Sequence, residues 1–325
     1  MVVAQIAYNH LTASVRSNCD ALIAVPLTYT NTGTSNFITA ACWADDFKAN
    51  LGTGVWHYID IPFSLDGTPT NGVSADSFDV VRAINQCVQA LGNPSTTQSN
   101  QAVYLRYLLH FVGDIHQPLH ASTAVFASAT SGDAGGNGFI ITGYGGELHA
   151  LWDQGGGYVS ASVPRPLSTS GKTTLSNKVA VIEADYPYVS NAGAFPDPMT
   201  WAMEGYNLAQ TVAYVGINQG DAPTSSYTNA AQHTAESRLA LAGHRLADLL
   251  NTLFTVYPTT LQLSAASTGS MSFSWNAVPG RTYKVQRKQN LDDTWVTVAV
   301  VTPKSGTATY SEVAGTTTRF YQVTQ

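Results

Sequence analysis

Leu109-His110-Phe111-Val112-Gly113-Asp114-Ile115-His116-Gln117-Pro118-Leu119-His120 sets three histidines and a carboxylate into an otherwise mainly apolar run. His110 and Asp114 are four residues apart, so on a helix they share one face about 6 Å apart along the axis. Two such side chains can converge on one ion at the roughly 2.0–2.2 Å that zinc takes from imidazole and carboxylate. Pro118 cannot continue a helical hydrogen-bond ladder, so the spacing predicts a kink that returns His120 toward the same point. A lone histidine here would read as a satisfied core residue. Four ligand-type side chains on one apolar segment favour a metal site.

Working outward, Glu147-Leu148-His149-Ala150-Leu151-Trp152-Asp153 repeats the geometry, with His149 and Asp153 again four apart. Upstream, Asp45 follows Trp43 by two residues and His57 follows Trp56 directly, so both are expected to be anchored in the core. Asp45, His57, His110, Asp114, His120, His149 and Asp153 exceed the four ligands of one structural zinc. Oxygen and nitrogen donors in that number suit a multinuclear hydrolytic centre better than a redox one.

The H-x3-D-x5-H spacing, the string Gly113-Asp114-Ile115-His116-Gln117-Pro118-Leu119-His120 and the Leu148-His149-x-x-Trp152-Asp153 pair resemble the zinc-dependent single-strand nucleases and 3′-nucleotidases of the mung bean type. More distantly they are similar to the zinc-dependent bacterial phospholipases C. The likeness runs from Val3 to about Phe254 and includes Val3-Ala4-Gln5-Ile6-Ala7, Gly135-Gly136-Asn137, Trp201-Ala202-Met203-Glu204 and Arg238 to Ala247. The two histidine strings in this order are highly specific; the other matches are weak alone.

The resemblance implies a mainly helical domain of the phospholipase C/nuclease kind holding three zinc ions. Asp45, His57, His110 and Asp114 would hold one ion; His120, His149 and Asp153 would hold its neighbour; Asp114 would also reach toward the third. Asp60 matches the carboxylate beside the attacking water. Lys48 stands where a basic residue touches phosphate, Tyr58 where a ring stacks on a base, and Gln154 is assigned to substrate binding. The family's WGxxGH opening, which carries the remaining third-zinc ligands, falls ahead of Met1. The expectation is therefore two complete zinc sites within the present sequence, with either a longer chain that carries a signal peptide and that opening or a protein that has lost the third site, and His10 as a weak substitute ligand.

Composition agrees with a secreted or periplasmic origin. Charged residues make up 11% of the 325 residues, against roughly 25% in an average soluble protein. A net charge of −6 argues against a broad basic face for duplex DNA but suits a small cleft whose cations come from bound metal. No stretch reaches the roughly 20 apolar residues of a membrane span, so stable membrane insertion is not expected. Cys19, Cys42 and Cys87 form an odd set; a Cys19–Cys42 disulfide and buried free thiols both remain open.

Helical periodicity dominates up to Phe254. Val80, Val81, Ile84, Val88 and Leu91 mark a helix over 76–91 that stops at Gly92 and Pro94, and 231–254 repeats the pattern. Phe139-Ile140-Ile141-Thr142 reads as a short hairpin, and Gly155 to Gly171 as a surface loop. From Thr260 the pattern alternates, with segments at 261–263, 271–275, 283–287, 295–298 and 320–323 separated by turns at Asn276, Pro279-Gly280 and Asp292-Asp293. This predicts a small all-β sandwich similar to fibronectin type III modules, and a division into residues 1–257 and 258–325. Trp275 and Trp295 read first as its core and second as a carbohydrate-binding platform.

The expected function is zinc-dependent hydrolysis of single-stranded DNA and RNA to 5′-phosphate products, with 3′-nucleotidase activity as an extension. Phospholipase C is the nearest rival, disfavoured because the last ligand pair ends in Asp153 rather than glutamate and because Tyr58 suits a base. A non-catalytic zinc protein acting through its β-sandwich is the alternative of a different class. Retention of all seven internal ligands weighs against it.

Overall fold

A computed structural model describes residues 1–93, 96–159, 163–190, 197–254, 261–265, 269–277, 282–304, 307–313, 315 and 318–324. Within it, helix α6 (Gln98–Asp114) carries the first part of the decisive stretch. Its N-cap Thr97 accepts a hydrogen bond from the Asn100 amide, satisfying one of the amides that a helix start leaves unpaired. Leu105, Leu108, Leu109, Phe111 and Val112 are buried, each burial contributing about 1.5–3 kcal/mol relative to exposure. The helix ends at Asp114, before Pro118, which opens a 3₁₀ turn over Pro118–Ala121.

Five helices frame this one on the N-terminal side: α1 (Val2–His10), α2 (Ala13–Ile23), α3 (Phe37–Ala40), α4 (Trp43–Leu51) and α5 (Val80–Gly92). The observed α5 begins later than position 76, because Asp79 caps it by accepting from the Arg82 amide. Pro94, the expected stop, lies outside the described residues. On α6, Arg106 is 1% exposed and donates to the carbonyls of Ala102 and of Ile23, the last residue of α2. It thus ties the carbonyl end of one helix to the middle of another.

On the C-terminal side follow α7 (Leu148–Asp153), α8 (Thr169–Asp185), α9 (Pro198–Leu208) and α10 (Ser225–Phe254). At 30 residues, α10 spans about 45 Å and starts one and a half turns earlier than the apolar pattern suggested. Helix α1 crosses it closely: a β-carbon on Gly243 would lie 2.5 Å from Cβ of Ile6, so only glycine permits the approach. The expected loop over 155–171 is shorter than read. Gly155–Gly157 form a 3₁₀ turn, residues 160–162 lie outside the described residues, and Ser168 caps α8 from its side-chain oxygen.

Two short strands, β1 (Pro62–Ser64) and β2 (Thr123–Val125), pair in parallel. The pairing is extended by Ile59 N donating to His120 O at 2.8 Å and Thr123 N to Ile61 O at 3.0 Å. The segment after His57 is thereby zipped to the segment after His120. The predicted hairpin near Phe139 reduces to one isolated bridge, Ile140 with Glu147. Gly143, Gly145 and Gly146 all have positive φ there, a backbone that coils instead of extending.

The alternating region forms two antiparallel three-stranded sheets. Strands β3 (Gln262–Ala265), β4 (Ser270–Asn276) and β7 (Thr307–Val313) make one; β6 (Val296–Val301), β5 (Tyr283–Lys288) and β8 (Phe320–Thr324) make the other. Strand β7 was missed by the sequence reading, because Thr307-Ala308-Thr309-Tyr310-Ser311 alternates small and polar residues with little apolar contrast. Trp275, Tyr283, Val285 and Ala308 share one buried cluster across the two sheets. Trp275 is 1% exposed, so it is core and no part of a binding platform. Trp295 is partly exposed and lies under the Lys288 ammonium at 4.8 Å. The Tyr257-Pro258 boundary and the Pro279-Gly280 turn lie outside the described residues. Cys19, Cys42 and Cys87 are free thiols.

Candidate metal centre

Four elements deliver the ligand-type side chains. Asp45 comes from the first turn of α4, His57 closes a 3₁₀ turn over Gly54–His57, and His110 and Asp114 share the last turns of α6. Nδ1 of His57 lies 3.0 Å from Oδ2 of Asp114 and 3.7 Å from Oδ1 of Asp45. Nε2 of His110 lies 3.1 Å from Oδ2 of Asp114, 3.6 Å from Oδ2 of Asp45 and 3.1 Å from Nδ1 of His57. A tetrahedron with zinc–ligand bonds near 2.0 Å has edges of about 3.3 Å. The five separations bracket that value, so this donor set fits the ion.

A second cluster stands beside it. His120 sits in the Pro118–Ala121 turn, and His149 and Asp153 lie on α7. Nε2 of His120 is 3.5 Å from Oδ1 of Asp153, and Nε2 of His149 is 3.4 Å from its Oδ2. Asp45, His110, Asp114, His120 and Asp153 line one cleft of about 400 Å³, together with Met1, Val2 and Val3. In both clusters the imidazoles are 6–16% exposed while Asp45 and Asp153 are half exposed at 52% and 49%. Each cluster therefore has a packed base and an open mouth, the arrangement of a site that admits a reactant.

Backbone carbonyls aim the rings. Nδ1 of His110 donates to Ala41 O at 2.6 Å, Nδ1 of His120 to His57 O at 2.8 Å, and Nδ1 of His149 to Gly135 O at 2.7 Å. Each bond places the proton on Nδ1 and leaves the Nε2 lone pair toward the cluster. His57 is reversed: Nδ1 faces the cluster and Nε2 is buried without a hydrogen-bond partner. The carbonyl of Gly135 depends on glycine, since φ there is 63° and a β-carbon would lie 2.4 Å from Leu119 O. Gln117, which the sequence reading overlooked, donates to Oδ1 of Asp153 at 2.9 Å while its own Oε1 accepts from Leu119 N. Its place between two candidate ligand histidines, His110 and His120, was the available signal.

Charge and burial shape the cluster's protonation. Burial opposes ionisation of Asp114, but His110 and His120 outweigh it and hold the carboxyl well below its usual range. Burial likewise opposes charge on His120, yet Asp114 and Asp153 raise it to about 9. Asp60 behaves oppositely. Burial, with Asp133 and Asp76 nearby, lifts its carboxyl to about 6, only partly offset by His120.

Lys48, Tyr58, Asp60 and Gln154 are not among the residues that line the cleft. Lys48 is half exposed with Nζ 3.1 Å from Oδ1 of Asp45, so it contacts a candidate ligand directly. Tyr58 is partly buried, and its hydroxyl is raised by burial and by Asp60 and Asp76. Gln154 follows Asp153 at the end of α7, its amide bonded to Ala150 O. His116 stays out of both clusters. Its Nδ1 donates to Val112 O and its Nε2 lies 2.9 Å from Arg245, which with Arg238 pairs to Glu204. His10, the substitute third ligand, instead contacts Glu183.

The sequence profile described as S1/P1 Nuclease matches residues 1–255. The chain belongs to the S1/P1 nuclease family. Every ligand-type residue described above falls inside the matched region, and the two three-stranded sheets fall outside it. Among S1/P1 nucleases, endonuclease 3 of Arabidopsis thaliana is 29% identical over 254 residues, covering 72% of this chain and 82% of its own. Nuclease S1 of Aspergillus oryzae is 29% identical over 276 residues, covering 77% and 88%. Nuclease P1 of Penicillium citrinum is 28% identical over 251 residues, covering 68% and 86%. As an S1/P1 nuclease the protein is a hydrolase of phosphodiester bonds, with nucleic acid as its substrate. No described helix is long and apolar enough to cross a membrane.

Proposed function

We propose that this protein is a zinc-dependent endonuclease cleaving single-stranded DNA and RNA to 5′-phosphate products, with 3′-nucleotidase activity from the same centre. The observation that carries the reading is the pair of imidazole–carboxylate clusters opening into one cleft, joined to membership of a nuclease family. Asp45, His57, His110 and Asp114 would hold one zinc, and His120, His149 and Asp153 a second. Zinc held there supplies Lewis-acid charge that neutralises phosphate oxygens and acidifies water.

The chain's own groups do the rest. Asp60, with a carboxyl near 6, is ionised at neutral pH yet basic enough to orient the attacking water and take its proton. Lys48 adds a cation at the rim for a phosphate oxygen, and Tyr58 offers a ring on which a base stacks for roughly 1–3 kcal/mol without sequence preference. Gln154 contributes a polar contact to substrate. A duplex cannot splay its bases onto such a ring, and the net charge of −6 gives no broad surface to hold one.

Residues 258–325 are read as a separate fibronectin type III-like module, on the two-sheet topology and shared core. Export to a secreted or periplasmic location fits the low charged content. The deciding experiment offers the zinc-loaded protein denatured DNA, duplex DNA, RNA, a 3′-nucleotide and phosphatidylcholine. Turnover of the single strands with 5′-phosphate ends is expected. Cleavage of the phospholipid with none of the nucleic acids would transfer the site to the phospholipase reading.

A further inference from the structure

A third group of metal-ligand side chains lies away from the nuclease cleft. His10 is the last residue of α1, Glu183 lies near the end of α8, and His244 is on α10. One ligand atom from each lies within 4.8 Å of the other two. None of the three lines the cleft, and none belongs to the two clusters already described.

The surroundings hold these groups in place. Nε2 of His10 contacts Oε1 of Glu183, and Asn9 Nδ2 donates to Oε2 of Glu183 at 3.1 Å. Gln5 in turn donates to Oδ1 of Asn9 at 3.0 Å. Tyr188 stacks on His10 with ring centroids 4.1 Å apart and meets His244 edge-on at 5.1 Å. Its hydroxyl donates to Oδ1 of Asp248 at 2.5 Å. An ion pair between His10 and Glu183 accounts for those two residues but leaves His244 unexplained. That histidine is 8% exposed, and its Nε2 is buried without a hydrogen-bond partner. Such an unpaired nitrogen is costly to bury, and a bound cation relieves the cost.

We propose that His10, Glu183 and His244 form an additional zinc site, structural in role and independent of the nuclease centre. Two imidazoles and one carboxylate are a donor set that zinc takes, with water completing the shell. Calcium and magnesium want oxygen throughout. Asn9 acts as the outer partner that orients the carboxylate, and Tyr188 as the surface that fixes the imidazole planes. A ligand tetrahedron has edges of about 3.3 Å, so loading would part the direct His10–Glu183 contact and close the wider separations in the group, which reach up to 4.8 Å. The ion would join three helices far apart in sequence. One of them, α1, begins at the cleft with Val2 and Val3 and reaches His10 about 12 Å further along its axis.

The test uses the full chain, stripped with a chelator and reloaded with zinc alone. Bound metal is counted by elemental analysis, and thermal melting is recorded with and without zinc. Glu183→Gln and His244→Ala should each bind one equivalent fewer than the parent and gain less in melting temperature from zinc. Their turnover of denatured DNA at saturating zinc should stay within about twofold. A chain carrying His110→Ala and His149→Ala, crippled in both nuclease clusters, should still bind one equivalent and lose it when Glu183→Gln is added. That arm separates this site from the nuclease reading, which stands or falls on the other ions. If His244→Ala does not fold, Glu183→Gln decides alone, because that side chain is partly exposed and its replacement is isosteric. A folded Glu183→Gln protein with the parent's zinc count overturns the proposal.

Discussion

Nε2 of His110 lies 3.1 Å from Nδ1 of His57, a separation that two imidazole nitrogens tolerate only with a proton or a cation between them. Both nitrogens also lie within 3.1 Å of one carboxylate oxygen of Asp114. A metal bound here, as proposed, would therefore compete with protons for the same lone pairs.

Zinc binding should accordingly release protons and tighten as pH rises. His120 is raised to about 9, so it carries a proton that must leave at neutral pH. The sign for the metal-free fold is the reverse. The stability from charged His120 is fully present below about 6.5, its unfolded value, and is lost as pH rises through about 9. Calorimetry in buffers of different ionisation enthalpy should show proton release near pH 7.5; a buffer-independent heat would contradict this.

Asp114→Asn should lower turnover of denatured DNA by roughly 10²–10³-fold while the far-ultraviolet circular dichroism stays helical. The side chain contacts His57 and His110 and sits at the end of α6 instead of within its apolar face. Near-parental turnover with unchanged zinc content would remove Asp114 from the centre.

Asp60→Asn should cut kcat with little change in KM, because in the proposed reaction the carboxylate would act on the attacking water and not on the bound strand. The same change should stabilise the metal-free protein above pH 6. A folded-state value near 6 against an ordinary 3.8 means that ionising Asp60 opposes folding as pH rises through that window. At roughly 1.36 kcal/mol per unit, the gain at pH 7 is at most about 3 kcal/mol. Denaturant melts at pH 4 and pH 7 check the sign: the variant's advantage should appear only at the higher pH.

Gly135→Ala should weaken the second zinc by roughly 10–100-fold. The added β-carbon collides with Leu119 O and displaces the carbonyl that holds Nδ1 of His149. The first zinc should bind as before, so a titration that loses affinity in one step only is expected. Equal loss in both steps would point to general unfolding.

The helix pairs His110/Asp114 and His149/Asp153 were legible in the bare sequence, because a 3.6-residue period acts between near neighbours and needs no knowledge of the rest of the chain. The shift from helical to alternating periodicity after Phe254 was legible for the same reason. Strand β7 and the start of α8 were not. Their residues are small and polar, so what places them is pairing and capping rather than apolar contrast.

Other features were decided only by the tertiary structure. Which nitrogen of each imidazole faces the cluster is set by the carbonyls of Ala41, His57 and Gly135, and Gln117 enters by reaching Asp153. The meeting of His10, Glu183 and His244 spans more than two hundred residues. A backbone carbonyl belongs to every residue and carries no letter of its own. Contacts between distant segments arise only when whole helix faces have packed. The spacing of ligand types thus pointed to the chemistry proposed for this chain, and the packing of α1, α4, α6, α7, α8 and α10, with the turns that carry His57 and His120, decided where each donor atom stands.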